Sequence, residues 1–162
     1  MDPLDELKLE LQRIPWFREL QIKHLDMIAG ITQLRNVKAG EVLFREGDRA
    51  EYIYIVLSGR IALDMAAPPR GKVRFHTAEM WEVIGWSSAT PVVRQRTASA
   101  TAVVDSRLAM VDSTRLGELC EQDHDLGYLV MRRLANIVAS RLMSSRLQLL
   151  DMFAEPETKN AK

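Results

Sequence analysis

The chain has 162 residues, 47% of them hydrophobic and 27% charged, which is typical of one soluble globular domain with a helical extension. Lys and Arg together number 22, as do Asp and Glu, so a strong nonspecific attraction to nucleic acid or anionic membranes is not expected. The single Cys120 excludes an internal disulfide, the acidic N-terminus lacks a signal-peptide core, and no apolar run approaches the length of a membrane span. These features predict a cytoplasmic protein without membrane contact.

Residues 1–35 are predicted to form N-terminal helices. Leu4, Leu7, Leu11 and Ile14 recur at helical spacing until Pro15 interrupts the pattern. The apolar periodicity then resumes over the segment WFRELQIKHLDMIAGI and ends close to a glycine. We expect helix throughout residues 3–35, with a break at the proline.

From residue 36 the pattern changes to short apolar runs separated by glycine-containing turns. Tyr52 to Leu57 is dense in β-branched and aromatic residues, as in a buried strand. Alternation of small, apolar and polar residues resumes after Arg96 and continues through Val111. This spacing predicts a small β-barrel or jelly roll over residues 36–111.

Residues 112–153 are predicted to be helical again. A short helix is expected over Asp112–Leu119, and one long helix from Asp125 to about Phe153. A second apolar stripe, at Val130, Leu134 and Ile137, is expected to pack on the roll. The heptad spacing of other apolar residues predicts a homodimer seam of Met131, Ala135, Val138, Leu142 and Leu149. Residues 154–162 are polar and predicted to be disordered.

The segment VIGWSSATPVVRQRTASATAV, residues 83–103, contains the best candidate for a binding site. Gly85 and the small residues after it are typical of a helix start with free backbone N–H groups. Arg96 and Thr97 follow with a cation and a hydroxyl, which together suit a phosphate. Trp86 is unusual there, because a bulky indole directly follows the glycine.

Two spaced motifs resemble the cyclic-nucleotide-binding domain of bacterial regulators of the catabolite-activator and fumarate-nitrate-regulator type. The first consists of Gly40, Gly47, four apolar residues at 53–56, and Gly59. The second is similar to the family's phosphate-binding cassette, over residues 84–89 and 96–102. The resemblance covers residues 10–153. It implies a mainly β, double-stranded β-helix (jelly-roll) fold with N-terminal helices and a long C-terminal helix.

The resemblance also implies the roles of individual residues. Arg96 would pair with the cyclic phosphate, and Thr97 would add a hydroxyl and a backbone donor. The base-facing position on the long helix would fall near Arg141 and Leu142. The expected ligand-binding residues are Gly85, Trp86, Ser87, Ser88, Ala89, Arg96, Thr97, Ala98 and Arg141. A cyclic nucleotide or another small anionic ligand is the expected ligand.

One position departs from the family pattern. Where the family has a glutamate that accepts a hydrogen bond from the ribose 2′-hydroxyl, this chain has Trp86, whose indole can only donate. The indole either stacks on a ligand or fills the core. Likewise, Arg96 either binds an anion or pairs with a carboxylate of a strand. Cyclic AMP and cyclic GMP are therefore expected to bind weakly or not at all.

Several functional classes are not expected. No nucleophile, base and orienting residue can be grouped, so the chain is not expected to be an enzyme. His24, His76 and His124 are scattered without metal-ligand spacing, so no metal site is expected. The family's transcription factors continue into a DNA-binding domain, for which about ten residues after Phe153 leave no room, so direct DNA binding is not expected.

The sequence thus favours a stand-alone sensor of a small ligand that signals to a partner protein through its long C-terminal helix. Two alternatives stay open. One is a ligand-free dimerisation or scaffold module with its pocket filled by its own side chains. The other is the sensor fragment of a transcription regulator.

Overall fold

The computed structural model describes residues 2–90, 92–93 and 95–154. The predicted disordered tail, apart from Ala154, lies outside the described residues. The N-terminal part contains helix α1 (Pro3–Arg13), a 3-10 helix (Pro15–Glu19) and helix α2 (Ile22–Ala29). Pro15 begins the 3-10 helix, because its ring cannot continue α1 but fits the first position of a new turn.

Strand β1 (Thr32–Val37) begins four residues before the expected start of the roll, so the expectation of helix through residue 35 is wrong for residues 32–35. Helix α2 ends at Ala29, and Gly30 is its C-cap. The following residues pair antiparallel with the last strand of the roll, from Thr32 opposite Val111 to Val37 opposite Ser106. The sheet ladder outweighs the local helical pattern, as tertiary pairing often does.

The described residues contain seven further strands: β2 (Val42–Phe44), β3 (Tyr52–Ser58), β4 (Ile61–Ala66), β5 (Lys72–Ala78), β6 (Val83–Ile84), β7 (Ser99–Ala102) and β8 (Ser106–Asp112). Together with β1 they form two four-stranded antiparallel sheets, one with the order β1-β8-β3-β6 and the other with the order β2-β7-β4-β5. The predicted jelly-roll fold is confirmed.

Strand β3 separates two hydrophobic cores, and both of its faces are buried. Ile53, Ile55 and Leu57 face the core that the helices form on one sheet. Tyr54 and Val56 face the interior of the roll. A strand buried on both faces reads as a continuous apolar run, which explains why this strand could be predicted from sequence.

Gly59 closes the turn from β3 to β4 in a left-handed conformation, with φ of 89°. A Cβ at this position would collide with the side chain and backbone of Ser106 on the neighbouring strand β8. This glycine of the first motif is therefore required by both backbone conformation and close packing.

Two helices follow the roll, α3 (Ser113–Gln122) and α4 (His124–Phe153). Asp112 caps α3 by accepting a hydrogen bond from the Arg115 backbone N–H, and Asp123 caps α4 in the same way from Leu126. The apolar stripe of Val130, Leu134 and Ile137 packs against the core beneath the helices, as expected. Among the described residues, no helix is both long and apolar enough to cross a membrane.

Candidate functional site

A cavity of about 310 Å³ opens between the roll and α4. Its walls come from both sheets, from the segment that follows Gly85, from residues 96–98, and from one face of α4. They are apolar or aromatic apart from two arginines and a few hydroxyl groups. The lining residues are Phe44, Leu63, Met65, Phe75, Val83, Ile84, Gly85, Trp86, Ser87, Arg96, Thr97, Ala98, Arg141 and Ser145.

Seven of the nine predicted site residues line this cavity, and Ser88 and Ala89 do not. These two residues belong to the short 3-10 helix Trp86–Ala89 and face a separate groove beside α3. The Ser88 hydroxyl donates to the Gly85 carbonyl oxygen at 3.0 Å, which closes the turn of this helix on itself. The structure thus divides the cassette between a half that faces the cavity and a half that faces α3.

Gly85 lets the chain approach Arg96 closely. Its φ is 73°, in the left-handed region. A Cβ here would lie 2.6 Å from the Arg96 Nη1 atom. Any larger residue would therefore displace the arginine as well as strain the backbone.

Arg96 is the most buried charged side chain of the cavity, with only 4% of its surface exposed. Its Nη1 atom donates to the carbonyl oxygen of Gly85 at 2.9 Å, and its Nη2 atom donates to that of Tyr52 at 2.6 Å. The guanidinium also lies 4.2 Å from the centre of the Phe44 ring. The arginine thus ties the cassette to β3, and its partners are backbone carbonyls rather than the strand carboxylate considered from sequence.

The guanidinium is neither fully hydrogen-bonded nor neutralised. Its Nε–H is buried without a hydrogen-bond partner among the described residues, and no carboxylate there lies within ion-pair distance of it. Burial, the main cause, lowers the pKa of Arg96, while the more distant charges of Tyr54, Asp48 and Glu51 raise it. A buried cation with a free donor provides a site for an anion.

Trp86 contributes an aromatic wall without a hydrogen-bond acceptor. Its side chain is half-buried and lines the cavity, yet it belongs to neither of the two hydrophobic cores. The ring therefore borders the cavity rather than packing within either core. None of the described residues that line the cavity is an aspartate or glutamate, so they offer no carboxylate acceptor for a ribose hydroxyl.

Arg141 is the residue of α4 that brings a second cation to the cavity. Its Nη2 atom lies 3.5 Å from the carbonyl oxygen of Val83 and 3.7 Å from a carboxylate oxygen of Glu82. Burial lowers its pKa, and the coulombic effect of Glu82 opposes that shift. The same carboxylate accepts a hydrogen bond from His76 Nε2, 3.1 Å away, if that nitrogen is protonated. Glu82 therefore holds together β5, the segment before the cassette, and α4.

Sequence reasoning missed most of the apolar wall. Phe44, Met65 and Phe75 lie on three different strands and converge only in the folded roll. Their alternation within β-strands identifies inward positions but does not show which of them face a cavity. Gln148 was also missed. Its Nε2 atom donates to the carbonyl oxygen of Phe75 at 2.7 Å, a second contact between α4 and the roll.

Comparison with known proteins places the chain in a family. The model of the family described as "Cyclic nucleotide-binding domain" matches residues 34–123, more than half of the chain. A curated relative, the Pycsar effector protein BcPycTIR of Burkholderia cepacia, is 27% identical over 116 residues, which cover 72% of this chain and 35% of that protein. The chain spans about a third of the length of the curated relatives it matches.

Solved structures agree with this assignment. The catabolite activator protein of Thermus thermophilus is 26% identical, with a TM-score of 0.69 over 85% of this chain and 62% of that chain. A cyclic nucleotide-binding domain from Methylobacillus flagellatus shares the fold, with a TM-score of 0.77 over 95% of this chain and 86% of that chain, at 19% identity. The family model and the shared fold confirm the resemblance inferred from the glycine and cassette motifs, and the chain belongs to the cyclic nucleotide-binding domain family.

Proposed function

We propose that the chain is a sensor of a small anionic ligand that binds in the cavity between the cassette and α4. The observation that carries this proposal is the buried Arg96 guanidinium, which has a free Nε–H and lacks a carboxylate partner among the described residues. An anion would supply both the missing acceptor and the missing charge. Arg141 adds a second cation to the same cavity.

The ligand is planar or apolar beyond its anionic group. Aromatic surface for such a ligand comes from Phe44, Phe75 and the Trp86 indole. With Trp86 in place of the family's glutamate, no described wall residue has a carboxylate that could accept a hydrogen bond from a ribose hydroxyl. Cyclic AMP and cyclic GMP therefore bind more weakly than an anionic ligand that has no ribose hydroxyl to be hydrogen-bonded.

The signal leaves through α4. A ligand anion that attracts Arg141 competes with Glu82, which lies 3.7 Å away, and so changes how α4 is held on the roll. Much of the far face of α4 is uncovered in a single chain: Met131, Val138, Leu142 and Leu149 are 37–53% exposed. The predicted seam of these residues with Ala135 would form a homodimer that presents the change to a partner protein.

A ligand-free dimerisation module is the second candidate. It is favoured by the two hydrogen bonds from Arg96 to the carbonyl oxygens of Gly85 and Tyr52, which hold the side chain in place without a ligand. Under this alternative the cavity is a by-product of the fold and α4 alone carries the function.

Native mass spectrometry of freshly purified protein, followed by calorimetry, separates the two candidates. The sensor proposal expects a co-purifying small anion whose occupancy falls in Arg96→Lys, which keeps the charge but loses the planar fork. Arg70→Ala, an exposed arginine that does not line the cavity, is the matched control and keeps the occupancy. A ligand-free wild type that also fails to bind acetyl phosphate, cyclic AMP and cyclic GMP favours the second candidate.

A further inference from the structure

A second cavity lies on the opposite side of α4 from the predicted seam, between that helix and the N-terminal helices. It is a groove of about 340 Å³ that shares no lining residue with the cassette cavity. Its walls come from the 3-10 helix with the residue after it, from α2, and from the first half of α4. The lining residues are Trp16, Glu19, Leu20, Ile28, Leu129, Val130, Arg132, Arg133 and Asn136.

Two hydrogen-bond donors in this groove lack acceptors. The Trp16 Nε1–H and the Arg133 Nε–H are both buried, and neither has a partner among the described residues. The Arg133 guanidinium stands 5.3 Å from the centre of the Trp16 ring, so the two groups are neighbours. Neither side chain can accept a hydrogen bond, and neither can therefore satisfy the other. The groove therefore contains two donors for which no described residue supplies an acceptor.

The charge of the groove points in the same direction. Its acidic residue, Glu19, is already engaged by Arg132 at 3.0 Å. No carboxylate among the described residues lies within ion-pair distance of Arg133. The groove therefore carries one unbalanced positive charge, on the residue whose Nε–H is free.

An apolar recess continues from the groove into the core and has Trp16, Ile28, Val130 and Arg133 as shared walls. Its volume is about 40 Å³, and apart from Arg133 it is lined only by apolar and aromatic residues. A space of this size holds only a few water-sized groups and, being apolar, is a poor site for water. It suits the compact apolar end of a small molecule.

We propose that this groove binds a small monocarboxylic acid, with its carboxylate on Arg133 and Trp16 Nε1–H and its apolar end in the recess. The carboxylate supplies the acceptors and the negative charge that the groove lacks. The site is independent of the function proposed for the cassette cavity. Its occupant would connect the 3-10 helix to α4, the helix that also borders the cassette cavity through Arg141.

Nuclear magnetic resonance of the full ¹⁵N-labelled chain tests this site. The chain has three tryptophans, so its spectrum contains three indole N–H signals, and Trp16→Phe identifies that of Trp16. Titration with sodium hexanoate at constant ionic strength is expected to shift the Trp16 signal with saturation at about 1–10 mM, an affinity appropriate to so few atoms. Hexan-1-ol, which lacks the charge, should bind at least about tenfold more weakly.

Variants assign the contact. Arg133→Gln is expected to weaken hexanoate binding at least about tenfold, while Arg132→Gln, a change to the neighbouring paired arginine, leaves it within about twofold. If Arg133→Gln does not fold, Arg133→Lys keeps the charge but removes the Nε–H and should still weaken binding. The proposal is overturned by the absence of a saturable Trp16 shift, by unchanged binding in the Arg133 variants, or by a shift confined to the Trp86 signal.

Discussion

At the scale of single residues, the proposed anion site depends on one buried cation, Arg96, and one aromatic wall residue, Trp86. Arg96 lies where the family motif has its arginine. Two of its guanidinium N–H groups already donate to the carbonyl oxygens of Gly85 and Tyr52. Trp86 turns an aromatic surface to the cavity, and under the proposed function it replaces the family's ribose-binding glutamate. In that proposal, the two residues together favour an anion without a ribose over a ribose-containing ligand.

Trp86→Glu is expected to strengthen the binding of cyclic AMP or cyclic GMP by about tenfold or more. A hydrogen bond to a buried hydroxyl contributes about 1–3 kcal/mol, and the new carboxylate restores that acceptor beside Arg96. Isothermal titration calorimetry of both nucleotides measures the change. Trp86→Leu is the matched control, because it removes the indole without adding an acceptor. An equal gain in both variants would mean that the indole acts only by its bulk.

Gly85→Ala is expected to destabilise the fold more than Gly71→Ala does. Both glycines have a positive φ, of 73° and 82°, so both substitutions place alanine in the left-handed region at a cost of about 1–2 kcal/mol. At Gly85 the new Cβ would lie 2.6 Å from Arg96 Nη1 and 3.1 Å from the Tyr52 carbonyl oxygen, whereas at Gly71 it meets open space. The difference in free energy of unfolding, measured in urea, therefore reports the cost of these two contacts. Equal losses in the two variants would show that the arginine and the Tyr52 carbonyl both move aside freely.

At the scale of elements, the strands and helices could largely be predicted from the sequence, because each has a strong periodic pattern. The apolar run of β3 and the two stripes of α4 are examples. Residues 32–35 could not be predicted, since their strand conformation depends on pairing with β8, more than seventy residues away along the chain.

The candidate site was only partly predictable for the same reason. The cassette motif identifies Arg96 and Trp86, which follow one another closely in the chain. The hydrogen bond from Arg96 to the Tyr52 carbonyl and the groove between Trp16 and Arg133 depend on contacts between distant segments. No local pattern encodes such contacts.

The start of α4 is predicted to respond to pH through Asp123. A hydrogen bond from the Leu126 backbone N–H and the nearby Lys23 and His24 lower the pKa of this carboxyl from 3.8 to about 2. Because the charged form is favoured in the folded state, its stabilisation is present above about pH 4 and is lost as the pH falls towards 2. Asp123→Asn, which keeps a capping oxygen but loses the charge, should therefore be less stable than wild type at pH 5, with a smaller difference at pH 3 and the smallest towards pH 2.

Urea unfolding of wild type and Asp123→Asn across this pH range measures the effect. Lys23→Gln, which removes one ion-pair partner 3.2 Å from the carboxylate, should reproduce only part of it, because the backbone hydrogen bond contributes most to the shift. A stability difference between wild type and Asp123→Asn that does not change with pH would contradict the assignment.

At the scale of the whole molecule, helix α4 has three faces with different surroundings. Its inner stripe packs on the core, its second half covers the cassette cavity through Arg141 and Ser145, and its outer face exposes apolar side chains. A change in the cavity and a change in the outer face thus reach the same rigid element. This arrangement suits a sensor whose output is the position or pairing of one helix.

Val138→Glu is expected to convert the proposed homodimer into monomers. Val138 is 37% exposed in the single chain and lies at the centre of the predicted seam, so a dimer would bury two unpaired carboxylates against each other. An unpaired buried charge costs about 3 kcal/mol or more, which weakens dimerisation by at least about a hundredfold. Met143→Glu makes the same kind of change at a 58% exposed position away from the heptad seam and should leave the dimer intact. Light scattering and analytical ultracentrifugation measure both variants. A dimer that survives Val138→Glu but dissociates in Met143→Glu would move the interface to another face of α4, and a monomeric wild type would leave the exposed stripe to a different protein.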